Sequence, residues 1–521
     1  HYHLFSSHNS MKYATENPKL YIALLCDVME IYFTKEHCMQ TQPQSHGGAS
    51  KGKLSLLAFF SITASMVMTV YELPSFATSG FALVFFLLLG GFLWFIPVAL
   101  CSAEMATVEG WEEGGIFSWV GNTLGERFGF AAIFFQWFQI TTGFVVMIYF
   151  ILGALSYLFD YPELNTNPLL KFLGVLIIFW SLTLSQLKGT KNTARIAKIG
   201  FFIGIVAPVC ILIILGIMYI ASGRHVMITM DWETFMPNFS KPSTLVIFVS
   251  FVLAYMGVEA SASHVNEMEN PKRDYPIVIF ILAILAIIIN TIGGLTIAFV
   301  IPLEELSLST GVIQTFATLI LYYGKEYSWI VKVIAIMISI GVIGEISSWV
   351  VGPSKGMYTA SQRGLLPSYF TKVNEYNVPV RLIMVQGIIV SIWAAIFTFS
   401  SGSASNLSFM TAMSLTVVIY IIAYILFFIG YLVLIYKKRT LPRAYNVPGG
   451  IVVKTILALL GLATSLFALV ISFFPPSTLP DSNIATYETL LTICSLIAIL
   501  IPCILYAYRK HYRPTMSNTL S

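Results

Sequence analysis

The sequence is dominated by apolar blocks, each close to the length of about 20 residues that a helix needs to cross a bilayer. The blocks recur from Leu54 to Tyr508 and are separated by short polar loops. Only 10% of the 521 residues are charged, against about a quarter in a soluble protein. We therefore predict an all-α, polytopic membrane protein with twelve transmembrane helices, at residues 55–79, 81–106, 128–158, 168–187, 195–221, 243–265, 275–300, 328–352, 380–400, 408–436, 452–474 and 487–508.

The distribution of lysine and arginine predicts how these spans are oriented. Twelve crossings place both termini on the same side, and basic residues cluster in the loops of that side, for example Lys437, Lys438 and Arg439 after span ten. The opposite loops hold only Lys171, Arg224, Lys241, Lys325 and Lys332. Because cytoplasmic loops carry the excess of basic residues, both termini are predicted to be cytoplasmic.

Two segments are predicted to lie outside the transmembrane body at 54–508. Residues 1–53 are interpreted as a disordered N-terminal extension, and residues 509–521 as a short cytoplasmic tail, too short for a folded cover over the inner mouth. Met39 precedes a short polar, basic leader and is a plausible start. The alternative is that residues 1–38 belong to the protein as an authentic flexible extension.

Span six is interrupted by polar residues at its centre. Tyr255, Gly257 and Glu259 lie in the run YMGVEASAS, inside an otherwise apolar segment. A carboxyl group at the middle of a membrane span costs about 2.5–3.5 kcal/mol on insertion scales, and residues of this kind are usually functional. Irregular backbone at that depth survives only where protein or a water-filled cavity covers it. Span six is therefore predicted to be a broken helix that forms half of a substrate site.

Span one carries a second interruption. Ser65 and Thr69 place hydroxyl groups near its centre, and Tyr71 is followed by a proline that disturbs the helix. Alternatively, the hydroxyl groups simply donate to carbonyl groups of their own helix. Interrupted spans at matching places in two halves of a chain are typical of a transporter with its site at the midplane, so the two breaks together predict such a site.

Glu259 in span six and Glu345 in span eight are interpreted as the two most deeply placed acidic residues. No lysine or arginine lies at the centre of any predicted span. Each carboxyl group could only hold helices together, or it could act as a proton-sensitive gate or as a partner for a substrate ammonium, because burial disfavours the charged form. An acidic site without a buried base should accept a zwitterion or a cation rather than a dicarboxylate.

Two other kinds of side chain are candidates for the transport path. Tyr420 and Tyr424 are four residues apart on span ten and share one helix face, where they are ordinary core residues or donate hydroxyl groups to a carboxylate. His264 lies near the cytoplasmic end of span six and is either a satisfied polar residue or a pH sensor.

Motifs of enzymes, metal sites and nucleic-acid-binding proteins are missing from the sequence. It contains no P-loop, no HExxH, no GxSxG and no cluster of cysteine and histidine. No cofactor, no metal and no nucleic-acid partner are therefore expected, and the chain is not expected to be an enzyme. A membrane sensor would need a cytoplasmic effector domain, and no loop is long enough to form one.

Several motifs resemble the amino acid–polyamine–organocation (APC) superfamily of transporters. They are Gly257-Val258-Glu259 with Glu267 and Asn270-Pro271-Lys272-Arg273, the run GGIFSW from Gly114, and the loop from Arg363 to Pro367. The span-one sequence, the loop AEMATVEGWEEGG and the run YMGVEASASHVNEMENPKRDYP are similar to the bacterial glutamate/γ-aminobutyrate antiporters of acid resistance. The resemblance covers about Leu54 to Tyr508.

This resemblance implies a LeuT-like fold, in which spans 1–5 and 6–10 form two inverted repeats with broken helices 1 and 6 and two further helices follow. It also implies acid-activated exchange of external glutamate for internal γ-aminobutyrate in a bacterial inner membrane, coupled to a separate cytoplasmic glutamate decarboxylase. By position, Tyr71, Glu259, Glu345, Tyr420 and Tyr424 match residues that the family uses along its path. The glycine-rich turn common in span one of the superfamily is replaced here by Val67-Met68-Thr69.

Relatives with other substrates remain an alternative. An exchanger of arginine and agmatine, or a proton-coupled symporter for glutamine or another neutral amino acid, would have the same general sequence pattern. An exchanger moves labelled substrate only against a loaded counter-substrate, whereas a symporter follows an imposed proton gradient.

Overall fold

The computed structural model describes residues 54–111, 114–261, 264, 268–400, 405–476 and 479–509. The predicted N-terminal extension (1–53) and the predicted tail beyond Arg509 lie outside the described residues, as does Glu267 of the span-six motif. The architecture below is therefore that of the predicted transmembrane body.

Within these residues the protein is helical, with two isolated β-bridges and no β-strand. Ten of the described helices are long and apolar enough to cross a membrane, and they correspond to predicted spans two to five and seven to twelve. Numbered with the shorter helices in chain order, they are α3 (Ala82–Ala106), α5 (Glu126–Leu158), α6 (Pro168–Gln186), α7 (Thr190–Ala221), α9 (Pro271–Val300), α11 (Ser328–Gln362), α12 (Val380–Ser400), α13 (Ser405–Lys437), α14 (Gly450–Ile471) and α15 (Asp481–Tyr508).

The remaining helices are shorter. Those that matter for the site and its frame are α1 (Leu56–Val67), α2 (Leu73–Ala77), α4 (Ile116–Leu124), α8 (Phe248–Leu253) and α10 (Gly311–Leu321), and single helical turns such as Glu163–Thr166, Trp232–Phe235 and Pro242–Leu245 are left unnumbered. Helix α5 is almost wholly enclosed by the other helices, whereas α14 and α15 leave apolar side chains such as Ile456 and Ile497 exposed. Because hydrocarbon is the solvent that accepts such faces, this pattern is that of a multi-pass membrane protein.

The two predicted interruptions are present in the structure. Helix α1 ends at Val67, and Met68 adopts an extended conformation before α2 begins at Leu73. Helix α8 ends at Leu253, and the chain continues through turns in which Gly257 has φ +106°. Predicted spans one and six are therefore broken, each at the polar residues that the sequence marked.

Trp349 of α11 explains why the second break contains glycine. A Cβ atom on Gly257 would lie 2.4 Å from Cζ2 of Trp349, so no larger residue fits there, even apart from the positive φ. The indole nitrogen of the same Trp349 donates to the carbonyl oxygen of Met66 at 3.2 Å. A single side chain therefore holds the end of α1 and the break after α8 next to each other.

Gly200 and Gly204 allow α7 to pack closely against α11. A Cβ atom on Gly204 would lie 2.1 Å from the backbone nitrogen of Gly341, and one on Gly200 would lie 2.9 Å from Cα of Gly344. The contact lies one residue before Glu345 on α11, so it brings α7 against the part of α11 that carries a candidate site residue.

Three helical features of the structure lie outside the predicted spans. Span eight is predicted to end at 352, but α11 continues through Pro353 to Gln362, and the single turn Ser368–Thr371 follows. The polar, aromatic segment near Trp119 contains the nine-residue helix α4. Helix α10 was not predicted, because eleven residues are too few to cross a bilayer.

Glu104 anchors the loop between α13 and α14 to the end of α3. Its buried carboxylate accepts hydrogen bonds from Arg443 at 2.8 Å and Lys454 at 2.6 Å on Oε1, and from the Tyr431 hydroxyl at 2.8 Å and the Val447 amide at 3.0 Å on Oε2. Two cations and two neutral donors satisfy this carboxylate, so it joins the end of α3 to a stretch of the chain that lies 327 to 350 residues later.

Candidate functional site

A small cavity lies between the two breaks. Its walls come from the end of α1 and the link to α2, from α5, from the break after α8, from α11 and from α13. The cavity volume is about 20 Å³, and about 10–15 Å³ suffices for one water molecule.

Four of the residues singled out in the sequence line the cavity. They are Thr69, Tyr71, Glu345 and Tyr420. Glu72 lines it as well, although the sequence reasoning did not single it out. Its signal in the sequence is the same as that of Glu259, because each is a carboxyl group within an interrupted span.

Glu72 and Glu345 share an unusual environment. Both residues are at most 2% exposed, and Oε2 of each has no hydrogen-bond partner among the described residues. Buried polar atoms are normally paired, so two unpaired carboxyl oxygens facing one cavity need an explanation. Among the described residues, none that lines the cavity is a lysine or an arginine. The described part of the wall is therefore acidic.

Glu259 lies behind the wall of the cavity and is fully buried. Its Oε1 accepts hydrogen bonds from Gln136 Nε2 at 3.2 Å and from the Tyr420 hydroxyl, and its Oε2 accepts one from the Tyr424 hydroxyl at 2.6 Å. Tyr420 also lines the cavity. One tyrosine therefore connects the buried carboxyl group of Glu259 to the space where a substrate could bind.

Tyr424 also contacts the backbone at the break after α8. Its hydroxyl oxygen accepts the backbone N–H of Gly257 at 3.0 Å, and its ring lies 4.6 Å from that of Trp94. An interrupted helix leaves backbone donors without their usual partners. Tyr424 satisfies one of them and donates to Glu259 at the same time, which ties the break after α8 to α13.

Ser65 and Tyr255 hold the breaks to their surroundings and do not line the cavity. The hydroxyl groups of Ser65 and Ser348 are 2.8 Å apart, which joins α1 to α11. The Tyr255 hydroxyl donates to the carbonyl oxygen of Leu87 at 3.0 Å, and its ring stacks on Phe95. Both side chains therefore position the interrupted segments.

His264 is placed away from these groups. Its Nδ1 lies 3.4 Å from Nζ of Lys355, which also contacts the hydroxyl group of Thr190. Lys355 is ten residues beyond Glu345 on α11, which is about 15 Å along a helix. The structure therefore brings Thr69, Tyr71, Glu345 and Tyr420 together at the cavity and leaves His264 at a separate polar cluster.

No group of three potential metal ligands occurs among the described residues. What the site offers instead is a set of carboxyl groups, hydroxyl groups and the amide of Gln139, gathered around one cavity at the breaks of two membrane helices.

Comparison with known proteins is consistent with this description. The profile of the amino acid permease family matches residues 54–501. The chain is 62% identical over 454 residues to the glutamate/gamma-aminobutyrate antiporter of Lactococcus lactis subsp. lactis, covering 87% of this chain and 90% of that protein, and the subsp. cremoris protein of the same name gives the same values. A probable agmatine/putrescine antiporter of Lactococcus lactis is 25% identical over 359 residues, covering 68% and 73% of the two chains.

The family profile spans most of the chain, and the identity to the two antiporters far exceeds what chance similarity gives. The resemblance found in the sequence motifs is confirmed. This protein is a membrane transporter and not an enzyme, and it belongs to the amino acid permease family of the APC superfamily.

Proposed function

We propose that the protein is an acid-activated antiporter that exchanges extracellular glutamate for intracellular γ-aminobutyrate. The observation that carries this proposal is the 62% identity, over 87% of the chain, to antiporters that bear that name. The acidic cavity between two broken helices gives independent support, because both substrates carry an ammonium group that such a cavity favours.

The proposed architecture is the LeuT-like one. The first repeat contains the broken pair α1 and α2 with α3, α5, α6 and α7, and the second contains the broken α8 with α9, α11, α12 and α13. Helices α14 and α15 then follow as the two extra helices. The breaks in the first element of each half support this arrangement, and the basic loops support cytoplasmic termini in a bacterial inner membrane.

The proposed exchange removes protons from the cytoplasm. In acid the side chain of glutamate is partly protonated, and the zwitterion that enters is near neutral overall. A separate cytoplasmic decarboxylase consumes a proton as it converts glutamate to γ-aminobutyrate. Export of that product in its fully protonated form removes one positive charge in each cycle, which supports resistance to acid.

Glu259 is the proposed proton-sensitive group. Its charged form accepts hydrogen bonds from three side chains, those of Gln136, Tyr420 and Tyr424. A protonated carboxyl group must itself donate, so at least one of these donors has to turn away. Because Tyr420 also lines the cavity, protonation of Glu259 changes the polarity of the cavity wall.

Counterflow in proteoliposomes tests the function. Uptake of labelled glutamate is measured with γ-aminobutyrate inside the vesicles and with buffer alone, at about pH 5.5 and about pH 7.5, which bracket the loss of the partly protonated substrate. We expect uptake only into loaded vesicles, and more of it at the lower pH. Equal uptake at the two pH values would contradict acid activation, and uptake into vesicles without counter-substrate would contradict exchange.

A second candidate is exchange of a diamine or guanidino compound. Two observations favour a cationic substrate: the similarity to the probable agmatine/putrescine antiporter, and the lack of lysine and arginine among the described residues of the cavity wall. Loading the vesicles with agmatine or putrescine in place of γ-aminobutyrate separates the two candidates. A proton symporter is separated by imposing a proton gradient on vesicles that hold no counter-substrate.

A further inference from the structure

Two carboxyl groups enter the cavity from different helices. Glu72 comes from the residue that precedes α2, within the first break, and Glu345 comes from the middle of α11. Both are at least 98% buried, and Oε2 of each lacks a hydrogen-bond donor among the described residues. The remaining carboxyl group of the region, Glu259, has both oxygens occupied by hydrogen bonds from side chains.

The part of the wall that the structure describes holds no cation that neutralises this pair. Its other titratable groups are the hydroxyl groups of Tyr71 and Tyr420, and none of its residues is a histidine, lysine or arginine. Lys171 is a buried lysine of α6, but its Nζ lies 4.1 Å from the ring centre of Tyr149 and it does not line the cavity. Two carboxylates in one poorly solvated space repel each other unless a cation lies between them.

The size of the cavity indicates which cations fit. About 20 Å³ accommodates a group the size of a water molecule, and a primary ammonium group is close to that size. An ammonium group has three donors. The wall offers three acceptors at three different points. They are an oxygen of Glu72, an oxygen of Glu345 and the hydroxyl oxygen of Thr69, which also lines the cavity.

We propose that Glu72 and Glu345 together form a cation subsite that binds the primary ammonium group common to both exchanged substrates. This inference rests on the proposed exchange, because decarboxylation of glutamate keeps its ammonium group and its side-chain carboxyl group. A proton takes the place of the ammonium group between the two carboxyl groups when no substrate is bound. Glu72 is thereby a specificity-determining residue of the transporter.

Equilibrium binding of labelled γ-aminobutyrate to the purified protein tests the subsite directly. The variants are Glu72→Gln and Glu345→Gln, with Glu72→Asp as the conservative change and Glu305→Gln as a control at an exposed glutamate outside the cavity. A hydrogen bond to a charged group stabilises by about 1.5–3 kcal/mol, so each glutamine variant should raise the Kd about tenfold or more. Glu305→Gln should leave the Kd unchanged, and Glu72→Asp should restore part of the affinity.

Competition by butyrate, which has the shape of γ-aminobutyrate without its ammonium group, distinguishes a direct contact from a structural effect. Butyrate should compete weakly with the wild type and equally weakly with both glutamine variants. If Glu72→Gln weakened the binding of butyrate as much as the binding of γ-aminobutyrate, the loss of affinity would come from a distorted cavity, and the subsite would be refuted. An unchanged Kd for γ-aminobutyrate in both variants would refute it as well.

The exchange assay with the same preparations separates this inference from the proposed function. The subsite alone would be overturned if the wild type exchanged γ-aminobutyrate for glutamate and the variants bound γ-aminobutyrate as tightly as the wild type. Protein that binds γ-aminobutyrate through Glu72 and Glu345 but exchanges no glutamate would overturn the proposed function alone. Wild-type protein that neither binds nor exchanges γ-aminobutyrate would overturn both.

Discussion

The hydrogen bonds around Glu259 predict the cost of replacing it with glutamine. In Glu259→Gln the carbonyl oxygen can keep the hydrogen bonds from Gln136 and Tyr420 to Oε1. The new NH2 group replaces Oε2, which accepts from the Tyr424 hydroxyl at 2.6 Å. The hydroxyl oxygen of Tyr424 also accepts the Gly257 amide at 3.0 Å. In the variant, the hydroxyl hydrogen of Tyr424 loses its acceptor because it faces an NH2 group.

The magnitude follows from this one lost hydrogen bond. A hydrogen bond to a charged acceptor contributes about 1.5–3 kcal/mol, and we expect the free energy of unfolding to fall by that amount at about pH 7.5. A buried carboxyl group that changes its protonation state between these pH values holds its proton more tightly in the folded protein than in the unfolded chain, where glutamate ionises at about pH 4.3. The wild type is then stabilised as the pH falls, whereas glutamine does not titrate, so the difference between wild type and variant should grow as the pH falls toward about 5.

Unfolding of the purified protein in mixed micelles gives the measurement, at both pH values. The second variant is Tyr424→Phe, and the double variant completes a double-mutant cycle. We expect a coupling free energy of about 1–2 kcal/mol, because the two side chains share one hydrogen bond. Tyr219→Phe is the matched control, since that buried tyrosine donates instead to the carbonyl oxygen of His225. Its effect should add to that of Glu259→Gln.

Two results would refute this reasoning. A cost below about 0.5 kcal/mol at the higher pH would mean that the hydrogen bond from Tyr424 to Glu259 contributes little. A cost that stays constant between the two pH values would mean that Glu259 does not change its protonation state in this range. The same variant tests the transport mechanism, because its exchange activity should depend less on pH than that of the wild type.

Three further predictions concern the frame around the site. Replacing Glu104 by glutamine leaves two partly buried cations without their shared carboxylate, so the free energy of unfolding should fall by about 3 kcal/mol in the same micelle assay. A loss below about 1 kcal/mol would contradict the anchoring role. Gly257→Ala puts a Cβ atom 2.4 Å from the ring of Trp349, at a residue whose φ is +106°. We expect the variant to lose exchange activity and about 2–4 kcal/mol of stability, whereas wild-type exchange rates in vesicles would show that the break can relax. Lys332→Ala removes an exposed ion pair with Asp160, which should cost less than about 1 kcal/mol, and a larger shift in the unfolding midpoint would show that this pair is coupled to the core.

Helix positions could be predicted from the sequence because the signals for them are local. A run of apolar residues long enough to cross a bilayer leaves the backbone no alternative to a helix, and ten of the predicted spans correspond to long helices of the structure. The breaks were also predictable, because glycine, proline and buried carboxyl groups disturb a helix where they occur. Helix α10 and the continuation of α11 through Pro353 were missed, since a short helix and a tolerated proline have no such local signal.

The sequence by itself therefore determined the class of protein, the places where two membrane helices break and, through its motifs, the family. Only the tertiary structure decided which carboxyl groups meet. Glu72 and Glu345 lie on one cavity, while Glu259, the most conspicuous in the sequence, lies behind Tyr420 and Tyr424. The physical reason is that a broken helix has no periodic face, so the direction of each side chain depends on the neighbouring helices α5, α11 and α13, which are distant in sequence.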